Sequence, residues 1–213
     1  HVYKKALEAD IGEVFVAAED KEIIEDVRKN HGEAILTSTD HKTGTDRIYE
    51  ALVKLGRTDV DLVMNLQGDE PLMNTEDIQN LNSQMVQTKY DLGTLAAKIS
   101  DDKIFENQDI VKVITKESLD VLKFPEALNF ARKLDKENNQ TYHHLGIYCY
   151  KVEILKKFIS FKQSQNEIKN KLEQLRALDN NIKINVALAK SSPIGLDTEE
   201  DFMAIKKIME YKS

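Results

Sequence analysis

Two carboxylates far apart in the chain have the character of metal ligands. Asp69 lies in Asn65-Leu66-Gln67-Gly68-Asp69-Glu70-Pro71, directly after the apolar run Leu62–Leu66. Adjacent acids just past a buried strand pack poorly and must face solvent, a metal or a cation. Gly68 lets the backbone come close to a ligand, and magnesium prefers one or two carboxylates with waters and phosphate oxygens. By spacing alone the run equally suits a solvated turn. Asp197, in Gly195-Leu196-Asp197-Thr198, reads by itself as an acid favouring a helix start. Taken with Asp69, it completes the pair of carboxylates that a magnesium–nucleotide site needs.

Three further constellations carry polar chemistry. Thr43-Gly44-Thr45-Asp46-Arg47 places small hydroxyl residues around a glycine at a helix start, where backbone amides can hold a phosphate or nucleotide. Arg47 there pairs with an anion or with Asp46. His143-His144-Leu145-Gly146-Ile147-Tyr148 sets two histidines before a strand, without an acid or thiol at zinc-ligand spacing. One of them suits a hydrogen bond to a sugar, or a structural role. Leu172-Glu173-Gln174-Leu175-Arg176 sits on an expected amphipathic helix, with Glu173 and Arg176 spaced for an ion pair.

Strands are expected at Val14–Ala18, Ala34–Thr37 and Leu62–Leu66, alternating with helices at Lys21–Asn30 and Asp46–Leu55 and a helix capped by Asn74. That alternation predicts an α/β fold with a mixed, mostly parallel sheet covered on both faces, binding ligands at the carboxyl ends of its strands. Leu92–Ile99, Ile110–Thr115, Ala127–Ala131 and Leu145–Tyr150 read as strands with little helix between the middle ones. The chain is expected to be one domain, 1–213, with about 91–150 forming a small antiparallel lobe. One helix over Glu167–Leu178, a strand around Ile182–Leu188 and a last helix capped at Thr198 and held by Phe202, Ile205 and Met209 complete the reading.

Composition bounds the function class. The 213 residues are 41% hydrophobic and 31% charged with mixed signs, a globular pattern. A net charge of -7 argues against nonspecific nucleic-acid binding. Cys149 is the single cysteine, expected as a buried thiol in a reducing cytoplasm. No apolar run reaches membrane-spanning length and none reads as a signal peptide. His1–Leu7 reads as helix interior without a cap, so a preceding segment is expected.

In order along the chain, these motifs resemble the 3-deoxy-manno-octulosonate cytidylyltransferases, or CMP-Kdo synthetases. Gln67-Gly68-Asp69-Glu70-Pro71, His144-Leu145-Gly146-Ile147-Tyr148 and Leu172-Glu173-Gln174-Leu175-Arg176 carry the resemblance, with Thr37–Arg47, Ala127–Arg132 and Gly195–Asp201. It implies a Rossmann-like nucleotidyltransferase fold, a homodimer, and transfer from CTP to Kdo giving CMP-Kdo and pyrophosphate for lipopolysaccharide. It further implies Mg2+ on Asp69 and Asp197. The sugar acid would meet Gln67, Arg132, His144, Tyr148, Glu173 and Gln174, and the nucleotide Thr43, Gly44 and Arg47. The related sugar acids 8-amino-Kdo and sialic acid, and a noncatalytic nucleotide-binding role, are the competing expectations. The family opens with a strand and an Arg- and Lys-bearing triphosphate loop that has no counterpart here, and that strand is expected to be central to the sheet.

Overall fold

The computed structural model describes residues 1–99, 103–134, 140–192 and 199–210, the side chains of 200, 201, 209 and 210 excepted. The first half alternates as expected: α1 (Val2–Ala9), β1 (Val16–Ala18), α2 (Lys21–Lys29), β2 (Ala34–Leu36), α3 (Gly44–Leu55), β3 (Leu62–Leu66) and α4 (Thr75–Thr88). Local chemistry fixes these ends. The side chains of Asp20, Thr43 and Asn74 accept backbone N–H bonds at the starts of α2, α3 and α4. Gly56, at φ 63, closes α3 in the left-handed conformation that a side chain would disfavour.

Then follow β4 (Leu92–Ala97), α5 (Lys103–Glu106), β5 (Lys112–Thr115), β6 (Ala127–Ala131) and β7 (Thr141–Lys151). The remainder is α6 (Val152–Ser160), α7 (Gln165–Asn170), α8 (Leu175–Asp179), β8 (Ile184–Leu188) and α9 (Glu199–Glu210). In sequence, α6 was not anticipated.

β7 organises the main sheet. Along one edge it pairs antiparallel with β4. Along the other, its carboxyl half pairs with β3 and its amino half with β5, both antiparallel. β4 pairs parallel with β8, and β5 antiparallel with β6. Thus β3, β4, β5 and β8 run one way and β6 and β7 the other. The sheet is mixed because the reversed β7 lies between co-directional strands. β1 and β2 pair parallel in a separate two-stranded sheet.

Apolar residues cover both faces of the main sheet. Leu81 and Met85 of α4 pack with Leu95, Ile147 and Cys149 on one face. Tyr148 and Tyr150 pack with Leu155, Phe158 and Leu175 on the other. Each fully buried Leu or Phe is worth about 1.5–3 kcal/mol, so these two layers dominate the stability. Among the described residues, no helix is long and apolar enough to cross a membrane.

The expected continuous helix over 167–178 is two helices instead. Lys171, at φ 53, ends α7 in the left-handed conformation, and 171–174 turn the chain before α8. The buried pair between Glu167 and Arg176, 2.5 Å apart, explains the break. Nine residues of unbroken helix would separate them by about 14 Å along the axis. Ile168, expected in the core, is 55% exposed in consequence, whereas Leu172 and Leu175 are buried. In α9, Ile205 is buried but Phe202 is exposed, so Ile205 holds this helix rather than Phe202. The expected cap at Thr198 lies outside the described residues, as does the Met209 side chain.

Candidate active site

The carboxyl end of β3 delivers Gln67 onto β7. The ladder ends at Leu66 opposite Ile147, and the Gln67 carboxamide then lies against Gly146. A Cβ at Gly146 would stand 3.3 Å from Gln67 Cδ, so only glycine admits this approach without a shift. The chain turns at Gly68 and Asp69, with Glu70 N–H donating to Gln67 O at 3.3 Å. Asp69 is therefore exposed at a strand's carboxyl end, where the sequence set it.

Beside this turn stands the amino end of α3. Gly44 faces the buried Asn65 of β3, whose amide nitrogen would be 3.5 Å from a Cβ at that position. Thr43 donates from Oγ1 to Asp46 Oδ2 at 2.9 Å, and the fully buried Thr45 pairs with the Tyr150 hydroxyl at 3.2 Å. Glu173, in the turn between α7 and α8, meets the same group. Burial pushes its carboxyl pKa up, while Thr45, Thr43 and then Arg176 draw it down. Its Oε1 is buried without a hydrogen-bond partner, so this wall presents an unused acceptor. Gln174, 6% exposed, follows immediately.

β7 presents a row of rings on this face: His144, Tyr148 and Tyr150, with neighbouring centroids 5.5 and 6.1 Å apart. Phe130 meets the His144 ring edge-on at 5.0 Å. Thr94 Oγ1 donates to Ile147 O at 2.7 Å, so the same oxygen accepts from His144 Nε2 at 3.0 Å. That assignment protonates Nε2 and leaves Nδ1 as the ring's acceptor. Burial, then His143, pulls the His144 pKa down to about 3, so the ring is neutral near pH 7. Burial likewise raises the Tyr148 and Tyr150 hydroxyls above their usual range, keeping both protonated.

Where β5 meets β6 and β7, Arg132 Nη1 donates to the Asp109 and Gln108 carbonyls at 2.7 and 3.2 Å. Its own carbonyl accepts from Lys112 Nζ at 2.6 Å. Lys112 is fully buried and lies opposite His143 in the β5–β7 ladder. Burial, then Arg132, pulls the Lys112 pKa down.

The structure therefore brings together Thr43, Gly44, Gln67, His144, Tyr148, Glu173 and Gln174 along β7 and its two flanking loops, with Arg132 at the far end of β7. Arg47 points elsewhere. It bonds Thr37 Oγ1 at 2.7 Å and pairs with Glu19, at the carboxyl ends of β2 and β1, and not with Asp46. Glu173 does not form the expected close ion pair with Arg176, which binds Glu167. Asp197 lies outside the described residues.

Among the described residues, no group of three or more His, Cys, Asp or Glu could hold a metal. Magnesium needs only one or two carboxylates beside waters and phosphates, and exposed Asp69 suits that donor set.

Sequence reasoning missed Thr94 and Lys112, and it matched Arg176 with Glu173 where the structure pairs it with Glu167.

A cytidylyltransferase family model matches residues 1–184. The chain belongs to that family. It is 42% identical over 220 residues to the 3-deoxy-manno-octulosonate cytidylyltransferase of Thermodesulfovibrio yellowstonii, covering 98% of this chain and 86% of the relative. The enzyme of that name from Bartonella tribocorum is 37% identical over 212 residues, with the same two coverages. Among solved structures, a CMP:2-keto-3-deoxy-manno-octonic acid synthetase complexed with CTP superposes at a TM-score of 0.88 and 30% identity, covering all of this chain and 87% of that one. Apo UDP-glucose pyrophosphorylase matches at a TM-score of 0.69 and 11% identity over 99% of this chain and 85% of that one, a likeness of fold alone. In this cytidylyltransferase the Gln67–Asp69 turn and the α3 amino end form adjoining walls at the strands' carboxyl ends, the usual ligand position in open α/β sheets.

Proposed function

We propose that this chain transfers the cytidylyl group of CTP to the anomeric hydroxyl of 3-deoxy-manno-octulosonate, giving CMP-Kdo and pyrophosphate. The observation that carries the reading is the packing of Gln67 on Gly146. It joins the acid-bearing turn after β3 to the ring-lined face of β7, so a phosphate beside Asp69 and a sugar along His144 and Tyr148 would be neighbours. The names of the relatives and the CTP bound to the structural neighbour supply the substrate pair.

The reaction is an in-line displacement at the α-phosphorus, with the sugar hydroxyl attacking and pyrophosphate leaving. Such transfers need positioning and charge stabilisation rather than a protein nucleophile. Thr43 and Gly44, at the amino end of α3, offer backbone donors to the nucleotide. Arg132 keeps guanidinium donors beyond Nη1 for the sugar carboxylate. His144 Nδ1 accepts from a sugar hydroxyl, the protonated Tyr148 donates or accepts, and Gln67, Glu173 and Gln174 complete the sugar's hydrogen bonds. Asp69 and Asp197 would hold magnesium, which when bound neutralises phosphate charge and lowers the pKa of the attacking hydroxyl.

The reading also includes a cytoplasmic homodimer. The single free thiol and the nucleoside triphosphate substrate favour that compartment. Val121, Leu122 and Leu128, exposed by 84%, 45% and 55% on the β5–β6 lobe, supply an apolar surface for a second copy.

Incubation of the full-length protein with CTP, magnesium and, separately, Kdo, 8-amino-Kdo and sialic acid tests the substrate assignment. A CMP adduct of Kdo by mass is expected. An adduct formed only with another sugar acid would replace Kdo, and none at all would remove the enzymatic reading. Light scattering should give twice the chain mass; a monomer would refute the dimer.

A further inference from the structure

Arg176 is 2% exposed, and the groups around it belong to both walls of the site. Its Nε and Nη2 donate to the two oxygens of Glu167 at 2.8 and 2.5 Å, a bidentate fork. Glu167 is itself fixed by the capping box of α7, in which its side chain accepts from Ser164 N–H and Ser164 Oγ accepts from Glu167 N–H. The guanidinium lies 4.6 Å from the centre of the Phe158 ring.

One nitrogen remains, and it faces the other wall. Arg176 Nη1 lies 3.5 Å from Asp46 Oδ1, and Asp46 Oδ2 accepts from Thr43 Oγ1 at 2.9 Å. Asp46 N–H also donates back to Thr43 Oγ1, at 3.4 Å. A chain of contacts therefore runs from the cap of α7, through Arg176, to the cap of α3. Glu173 and Gln174 immediately precede the helix that carries Arg176.

We propose that Arg176 is a positioning residue for cytidylyl transfer: it locks the sugar-side turn 172–174 and the nucleotide-side start of α3 in one fixed relation. The proposal rests on the assignment of those two walls to sugar acid and nucleotide. Charge geometry supports it. A buried guanidinium needs its carboxylate, so the Glu167 fork alone would satisfy stability. The third nitrogen adds an ionic contact across the site, where a lysine's single point charge could not serve both walls. Glu173, pushed up by burial and held down partly by Arg176, sits between the two.

Two variants test this, with wild type as reference. Asp46→Asn keeps an oxygen to accept from Thr43 but weakens the attraction to Arg176. Arg176→Lys keeps the charge and loses the fork. Native-state hydrogen exchange of the amides at 45–48 reads positioning without any substrate. At least tenfold faster exchange there is expected in both variants, with exchange in β4 unchanged. Steady-state kinetics should show KM for both CTP and the sugar acid raised at least fivefold, and combining the variants should add little. Where Arg176→Lys does not fold, Asp46→Asn alone decides. Unchanged exchange at 45–48 together with both KM values within twofold of wild type would overturn the proposal. If wild type releases no pyrophosphate, the substrate assignment fails, and exchange still judges the positioning.

Discussion

Gln67 lies on Gly146, its carboxamide carbon 3.3 Å from where a Cβ would stand. This contact between the end of β3 and the middle of β7 sets where the Gly68–Asp69 turn leaves the sheet. Gly146→Ala must displace the carboxamide by a few tenths of an ångström. We expect little change in melting temperature and a fall of about tenfold in kcat/KM for the sugar acid, because small misplacements near the reacting groups are costly. Steady-state kinetics beside a thermal melt would check this; a large fall in stability with kinetics intact would assign the glycine to packing instead.

The two histidines of β7 predict an acid limb in stability. Burial, then Lys112, pulls His143 down to about 4, and His144 stands at about 3, against 6.5 in an unfolded chain. Both folded-state values are depressed, so between these values and 6.5 the unfolded chain binds protons that the folded chain does not. Their stabilising contribution is complete above pH 6.5 and shrinks as pH falls, by about 1.4 kcal/mol per unit for each ring. Urea denaturation of His144→Gln at pH 7 and pH 5 should show about 2 kcal/mol less acid loss than wild type. An equal loss in both would disprove the assignment.

Cys149 is buried, and burial pushes its thiol up to about 12. The folded protein should leave a thiol-specific chromogenic reagent unreacted for hours, and release one equivalent of chromophore in urea. Rapid reaction of the native protein would contradict the burial.

Gly93 of β4 has no room for a side chain. A Cβ there would lie 2.8 Å from Met85 Sδ and Phe124 Cζ and 2.9 Å from Leu81 Cδ1. Gly93→Ala should cost about 1–3 kcal/mol by overpacking, with kcat per folded molecule preserved. Denaturation and active-site titration together separate the two effects.

Much of the fold was legible because local patterns and tertiary packing agree. The run Leu62–Leu66 and the cap at Asn74 were read to the residue. The strand over Thr141–Lys151 was read short, because Thr141, Tyr142 and His143 look polar but join the ladder to β5. The long-helix reading failed between Glu167 and Leu178 because a buried ion pair overrides helical periodicity. At the candidate site, ordered motifs singled out Gln67, His144, Tyr148, Glu173 and Gln174, which fall along β7 and its flanking loops. Their supporting contacts were not legible: Thr94 reaches His144 across 50 positions and Arg176 reaches Asp46 across 130, separations that single-sequence periodicity does not register.

Cytidylyl transfer to Kdo is proposed to take place beside Asp69. The most direct measurement is pyrophosphate release by the full-length protein from CTP with Kdo and magnesium, compared with its Asp69→Ala variant, the product being weighed by mass. A CMP-Kdo product is expected from wild type and a rate at least about a hundredfold lower in the variant, a loss of about 2.7 kcal/mol of transition-state stabilisation. No pyrophosphate from wild type, or an Asp69→Ala rate equal to wild type, would contradict it.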